Sequence, residues 1–183
     1  MDIFDLIATI SIHYREKIGI PPAKTKLLKL AYLAEVYYKR LTRERLTNQE
    51  WVFWKYGPYF WEYEELISNE TIFIKPDTTN DFFPVEVRDD YRPKEISMYE
   101  HNAVVRALEY AEDDLYQILD FFYFDTEPMM KAKKRGEILD FDSVMSEEFY
   151  AVKQYEIDKK QGQAIMQKIK NWEMRKKDTD QRH

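Results

Sequence analysis

Thr25-Lys26-Leu27-Leu28-Lys29-Leu30-Ala31-Tyr32-Leu33-Ala34-Glu35-Val36-Tyr37-Tyr38-Lys39-Arg40-Leu41 is the stretch that decides the fold class. Leu27, Leu30, Ala31, Ala34, Tyr38 and Leu41 recur at helical spacing and share one face. Leu28, Tyr32 and Val36 cover part of the opposite side. A helix apolar on most of its sides leaves little surface for water, so it belongs at the centre of a helical domain. Thr25 is placed to cap it, which predicts a helix over 26–41.

On the N-terminal side, Ile3, Leu6, Ile7, Ile10 and Tyr14 predict an amphipathic helix over 3–18. Gly19 is expected as its left-handed cap, and Ile20-Pro21-Pro22 breaks the chain before the central helix. On the C-terminal side a polar connector, 42–49, leads to the β-prone run Trp51-Val52-Phe53-Trp54. Gly57 suits a turn ahead of a proline, and Pro58 suits a first helical turn. With Glu62, Glu64 and Glu65 near its positive end, a third helix is expected over 58–68. Segments 71–75 and 82–88 favour a small β-hairpin around a turn at 76–81, with Pro84 restricting its strand to an edge.

Ser97 and Glu100 form a capping box, and the helix they open carries Val104, Ala107, Leu108 and Ala111 on one face. Asp113 is expected to cap the next helix, whose stripe is Leu115, Ile118, Leu119 and Phe122. A short helix over 128–135 would end at Gly136. Ser146 would cap a last helix reaching about Lys177, with Phe149, Val152, Tyr155, Ile165, Ile169 and Trp172 as a partial apolar stripe and 178–183 frayed. The expected fold is mainly α: a compact helical domain, 1–145, with a small β-hairpin insertion, followed by a charged C-terminal helix and tail, 146–183.

Composition agrees. A chain of 183 residues is the size of one ordinary domain with a short appendage. Its 14 Tyr, 11 Phe and 4 Trp can bury much area, which excludes disorder over most of the length. The net charge of −6 argues against wholesale nucleic-acid binding. The charge is uneven, however: 153–183 hold nine Lys/Arg against five acids. The absence of cysteine removes disulfides, thiol catalysis and Cys-ligated metal, and agrees with a reducing cytoplasm. Acids stand where a signal peptide has lysines, and no apolar run reaches the roughly 18–20 residues of a membrane span.

Catalytic signals are missing: no phosphate-binding loop, dinucleotide fingerprint, zinc-helix motif or nucleophile elbow occurs. His13, His101 and His183 are far apart in sequence and read as solvated or capping residues. Asp125, Glu127, Asp140 and Asp142 bracket a short segment. They could gather around Mg²⁺ or act as an acid/base pair, making the protein a carboxylate- or metal-dependent enzyme, but no nucleophile accompanies them. The blander reading is caps and solvated loops. Accordingly no enzyme activity, no cofactor and no metal are expected. The aromatic run from Trp51 to Tyr63 reads first as core, second as a protein-recognition surface and last as a stacking platform for nucleic acid, since Glu50, Glu62, Glu64 and Glu65 surround it.

The stretch Leu27 to Ala34, then Leu46, then Trp54-Lys55-Tyr56-Gly57-Pro58, and finally Tyr63 and Leu66, resembles the Panacea domain, the family of SocA-like antitoxins and GepA-like phage-associated proteins. A second similarity lies in Leu119-Asp120-Phe121-Phe122-Tyr123 with Thr126-Glu127-Pro128-Met129 and Ala132. The resemblance as a whole covers about 3–145. The sequence departs from the family pattern in lacking a histidine before Pro128 and in having Met129 where a tryptophan is usual. The resemblance implies a mostly helical, cytoplasmic, non-enzymatic bacterial protein. It would neutralise a protein toxin encoded by an adjacent gene through direct binding, or act as a proteolytic adaptor delivering the toxin to a ClpXP-type protease. It implies no membrane partner and disfavours nucleic acid. Leu30, Tyr32, Trp54, Tyr56, Gly57, Pro58 and Pro128 are the motif residues, expected to be structural with a possible interface role.

Overall fold

The computed structural model describes residues 1–74 and 83–180. Its centre is the helix expected from the opening stretch, α2, which runs from Lys24 to Thr42. Every residue from Leu27 to Tyr37 is buried, including the polar Lys29 and Glu35. The start differs from expectation. Ala23, not Thr25, occupies the cap position and supplies no side-chain bond; the backbone of 22–24 is instead tied to 83–85. The helix ends at Arg43, whose φ of 67° is left-handed.

Helix α1 (Ile3–Ile18) has the expected bounds, with the Asp2 carboxylate accepting from the Phe4 N–H and Gly19 at φ 88° as the left-handed cap. It and α4 (Met98–Ala107) pack on α2. Ser97 and Glu100 make the reciprocal capping box, and Val104, Ala107, Leu108 and Ala111 are all buried. The box ahead of α5 (Leu115–Asp125) is set by Asp114 with Gln117, one residue later than expected.

Two corrections concern the strands. Pro58 does not begin a helix: it lies in β2 (Gly57–Tyr59), which pairs antiparallel with β1 (Val52–Trp54) in the register Val52–Tyr59, Phe53–Pro58 and Trp54–Gly57. The third helix, α3, is only Tyr63–Ile67. The other edge of β1 is taken by 136–139, through Gly136 N–H to the Phe53 carbonyl at 2.7 Å and Leu139 N–H to the Trp51 carbonyl at 2.8 Å. β2 is therefore an edge strand, where a residue without an N–H costs no ladder bond. Second, the hairpin expected over 71–88 is reduced among the described residues to an antiparallel bridge between Phe73 and Val87 and another between Ala23 and Pro84. Its expected turn at 76–81 lies outside them.

Helix α6 spans only Glu127–Lys131, shorter than 128–135. Thr126, extended at φ −112° and ψ 121°, separates it from α5. Residues up to Val144 make one compact unit and a second begins at Met145. The second contains α7 (Glu147–Asp180), on which Phe149, Val152 and Tyr155 are exposed. It extends past the expected end at Lys177, into the stretch read as frayed, and 181–183 lie outside the described residues. Seven helices and one hairpin among the described residues make the protein mainly α.

Candidate functional site

The motif residues divide by burial. Leu30 and Tyr32 are fully enclosed. The Tyr32 ring meets Trp51, Phe122 and Phe141 edge-on at 5.6, 5.4 and 5.8 Å. Its hydroxyl shares a hydrogen bond with the Thr126 hydroxyl at 3.1 Å, and Thr126 itself donates to the Phe122 carbonyl at 2.8 Å. Two motif segments 94 residues apart thus close on one tyrosine, and desolvation pushes its phenol far above the ordinary range. Pro128 is buried in the first turn of α6. These three residues are core.

The hairpin carries the rest. Lys55 and Tyr56 form its tip between the Trp54–Gly57 pair. Trp51, just ahead of β1, is turned inward and is 1% exposed, while Trp54 at the end of β1 is 38% exposed. Tyr56 and Trp61 are exposed as well. Trp54 and Trp61 lie edge-to-face with centroids 4.9 Å apart, and Tyr59 joins Trp61 at 5.7 Å. The aromatic run is therefore two sets: Trp51, Phe60 and Tyr63 in the core, and Trp54, Tyr56, Tyr59 and Trp61 as a surface cluster.

Gly57 is buried with φ 86°, a conformation costly for any side chain. A Cβ there would stand 3.1 Å from a Leu119 methyl and 3.5 Å from the Lys29 ammonium. Lys29 is the residue that motif reasoning left unassigned. It is 2% exposed, donates to the Pro58 carbonyl at 2.6 Å, and burial pulls its amine down to about 7. The signal was present in the sequence: a lysine inside a run with no solvent face has to be buried. Lys29, Leu28, Trp54, Tyr56, Tyr59 and Leu119 border a groove of about 630 Å³ between α2, the hairpin and α5. At its rim Lys24 pairs with Glu64 at 3.1 Å.

The candidate acids do not gather. Glu127 is buried against Arg40 at 3.1 Å, while Asp142 faces Lys39 at 3.2 Å and Asp140 faces Lys131 at 3.6 Å. No group of three or more His, Asp or Glu suited to a metal occurs among the described residues. A different buried acid, Glu35, accepts from the Thr47 hydroxyl, from Arg45 at 3.4 Å and from the Trp51 indole at 3.5 Å. Burial raises its carboxyl above the usual range. It ties the polar connector 42–49 to α2. His13 and His101, remote in sequence, come within 6.1 Å ring to ring, and His13 contacts Glu16 at 2.8 Å. No helix among the described residues is long and apolar enough to cross a membrane.

No significant match to the chain occurs among curated proteins or solved structures. Residues 27–181 match the family model described as antitoxin SocA-like, Panacea domain. The match begins at the central helix rather than at residue 3 and runs beyond 145 through the whole of α7. With most of its length matched, the chain belongs to the SocA-like antitoxin family of Panacea domains.

Proposed function

We propose that this protein is the antitoxin of a toxin–antitoxin pair and neutralises its partner, a protein toxin encoded by an adjacent gene, by binding it directly in the cytoplasm. The observation that carries the reading is the family match over 27–181. The surface aromatics support it, because exposed Trp and Tyr are the side chains that concentrate binding energy at protein interfaces. The dispersal of the acids among their own cations supports action by binding rather than turnover. The motif residues Trp54 and Tyr56 then belong to the interface, and Leu30, Tyr32, Gly57, Pro58 and Pro128 to the scaffold beneath it.

The test is growth of a bacterial host expressing the adjacent open reading frame with and without this protein, followed by a pull-down of the pair. Arrest by the neighbour, rescue by this protein and a stoichiometric complex are expected. A neighbour that arrests growth but neither binds nor is rescued refutes the reading. The adaptor reading is favoured by the separate C-terminal unit with its exposed Phe149, Val152 and Tyr155. Removing 146–183 would then spare toxin binding but end toxin degradation by a ClpXP-type protease.

A further inference from the structure

A buried ammonium normally has a carboxylate beside it or several hydrogen bonds around it, because desolvation of a lone charge costs more than one hydrogen bond returns. Lys29 has neither. Its one hydrogen bond goes to the Pro58 carbonyl, which leaves two of its three donor positions without a protein acceptor. Gly57 forms part of the groove wall, and a Cβ there would stand in contact with the ammonium, at 3.5 Å. Outside it stand Trp54 and Tyr56, both exposed, with Leu119 opposite. Among the described residues the one carboxylate bordering the groove, Glu64, is already held by Lys24.

We propose that this groove receives a protein segment that places a carboxylate on the Lys29 ammonium and an apolar side chain against Trp54 and Tyr56. The proposal rests on the reading that the chain acts by binding a protein, and it names the place and the chemistry. A single carboxylate matches a single enclosed cation. A charged-to-charged hydrogen bond in a site closed to water is also the strongest polar contact such a groove can make. A nucleic acid fits less well, since Glu64 borders the groove, with Glu62 and Glu65 flanking it in sequence, and a polyanion would be repelled there.

The experiment uses the full chain and a blocked pentapeptide, Ala-Leu-Glu-Phe-Ala, against its counterpart with Gln for Glu. Binding is read from the indole N–H resonances of Trp54 and Trp61 and from the Lys29 side-chain amine. The Glu peptide should shift the Trp54 and Lys29 signals and bind about tenfold or more tightly than the Gln peptide, the advantage of an ionised acceptor. Lys29→Met should abolish that preference while keeping the folded spectrum, and Trp54→Ala should weaken both peptides. Equal affinity for the two peptides, an undiminished preference in Lys29→Met, or a dT oligonucleotide displacing the Glu peptide from Trp54 overturns the proposal. Should Lys29→Met fail to fold, loss of both peptides in Trp54→Ala supports the groove, and unchanged binding overturns it. The toxin pull-down separates the two claims. A toxin held as well by folded Lys29→Met as by the parent refutes the groove and leaves the antitoxin reading intact. Peptide binding at Lys29 together with a toxin that never binds leaves the groove and refutes the antitoxin reading.

Discussion

Replacing Lys29 by Met should stabilise this protein near and below neutral pH and erase part of its pH dependence. The amine is held by burial at about 7 instead of the ordinary 10.5. On unfolding it returns to water and takes up a proton. Between about pH 7 and 10.5 the unfolded chain therefore binds more protons than the folded one, and stability rises with pH across that window. Below about 7 both states carry the charge and the burial penalty is fully present. At about 1.4 kcal/mol for each tenfold change in proton affinity, the penalty is on the order of 5 kcal/mol. Methionine keeps the apolar stem and removes the charge. It also leaves the Pro58 carbonyl without its donor, an offsetting loss of about 1–3 kcal/mol. A net gain of about 2–4 kcal/mol is expected at about pH 6.

The assay is urea unfolding of the parent and of Lys29→Met, followed by tryptophan fluorescence from about pH 6 to pH 9.5, below the range where unfolded tyrosines ionise. That ceiling matters because Tyr32, Tyr37 and Tyr63 are all shifted upward by burial and would destabilise the fold above it. Other titrating groups cancel in the difference between the two proteins. The advantage of the variant should shrink by about 1.4 kcal/mol for each pH unit above 7. A difference independent of pH, or a variant less stable than the parent at the acidic end, would refute the placement of an unpaired ammonium under Gly57.

Gly57→Ala should lower stability by about 1–3 kcal/mol, from a left-handed φ and a Cβ that crowds Leu119; the melting temperature checks it, and an unchanged value would count against the hairpin geometry. Glu127→Ala should cost about 3–5 kcal/mol by removing the buried carboxylate that faces the Arg40 guanidinium, readable in the same urea titration. Tyr32→Phe should cost about 1 kcal/mol, the worth of the hydroxyl contact with Thr126, with little change in the aromatic packing seen by near-ultraviolet dichroism. The pair Trp54→Ala and Trp61→Ala, being exposed, should alter stability by under about 1 kcal/mol yet weaken toxin binding, as interface titration by calorimetry would show.

The mainly helical fold and its central helix are legible in the amino-acid sequence. Apolar periodicity is a local record of burial, and the Ser97–Glu100 box and the Gly19 cap are local hydrogen-bonding devices that need no distant partner. The family was legible for a related reason: its motif residues keep fixed spacings along the chain. The other features depend on partners far away along the chain. Pro58 carries equally good credentials for a helix start and for an edge strand, and the segment 136–139 on the far side of β1 selects the strand. Thr25 is a competent cap, yet the tie between 22–24 and 83–85 moves the helix start to Lys24. Asp125, Glu127, Asp140 and Asp142 look like a cluster in one dimension, but in the fold Glu127, Asp140 and Asp142 each face a cation of α2 or α6. The two roles within the Trp51–Tyr63 run could not be read from composition, because a tryptophan's propensity is the same on either face of a strand. The fold alone sets Trp51 against Tyr32 and leaves Trp54 beside Trp61, on the groove that the buried Lys29 also lines.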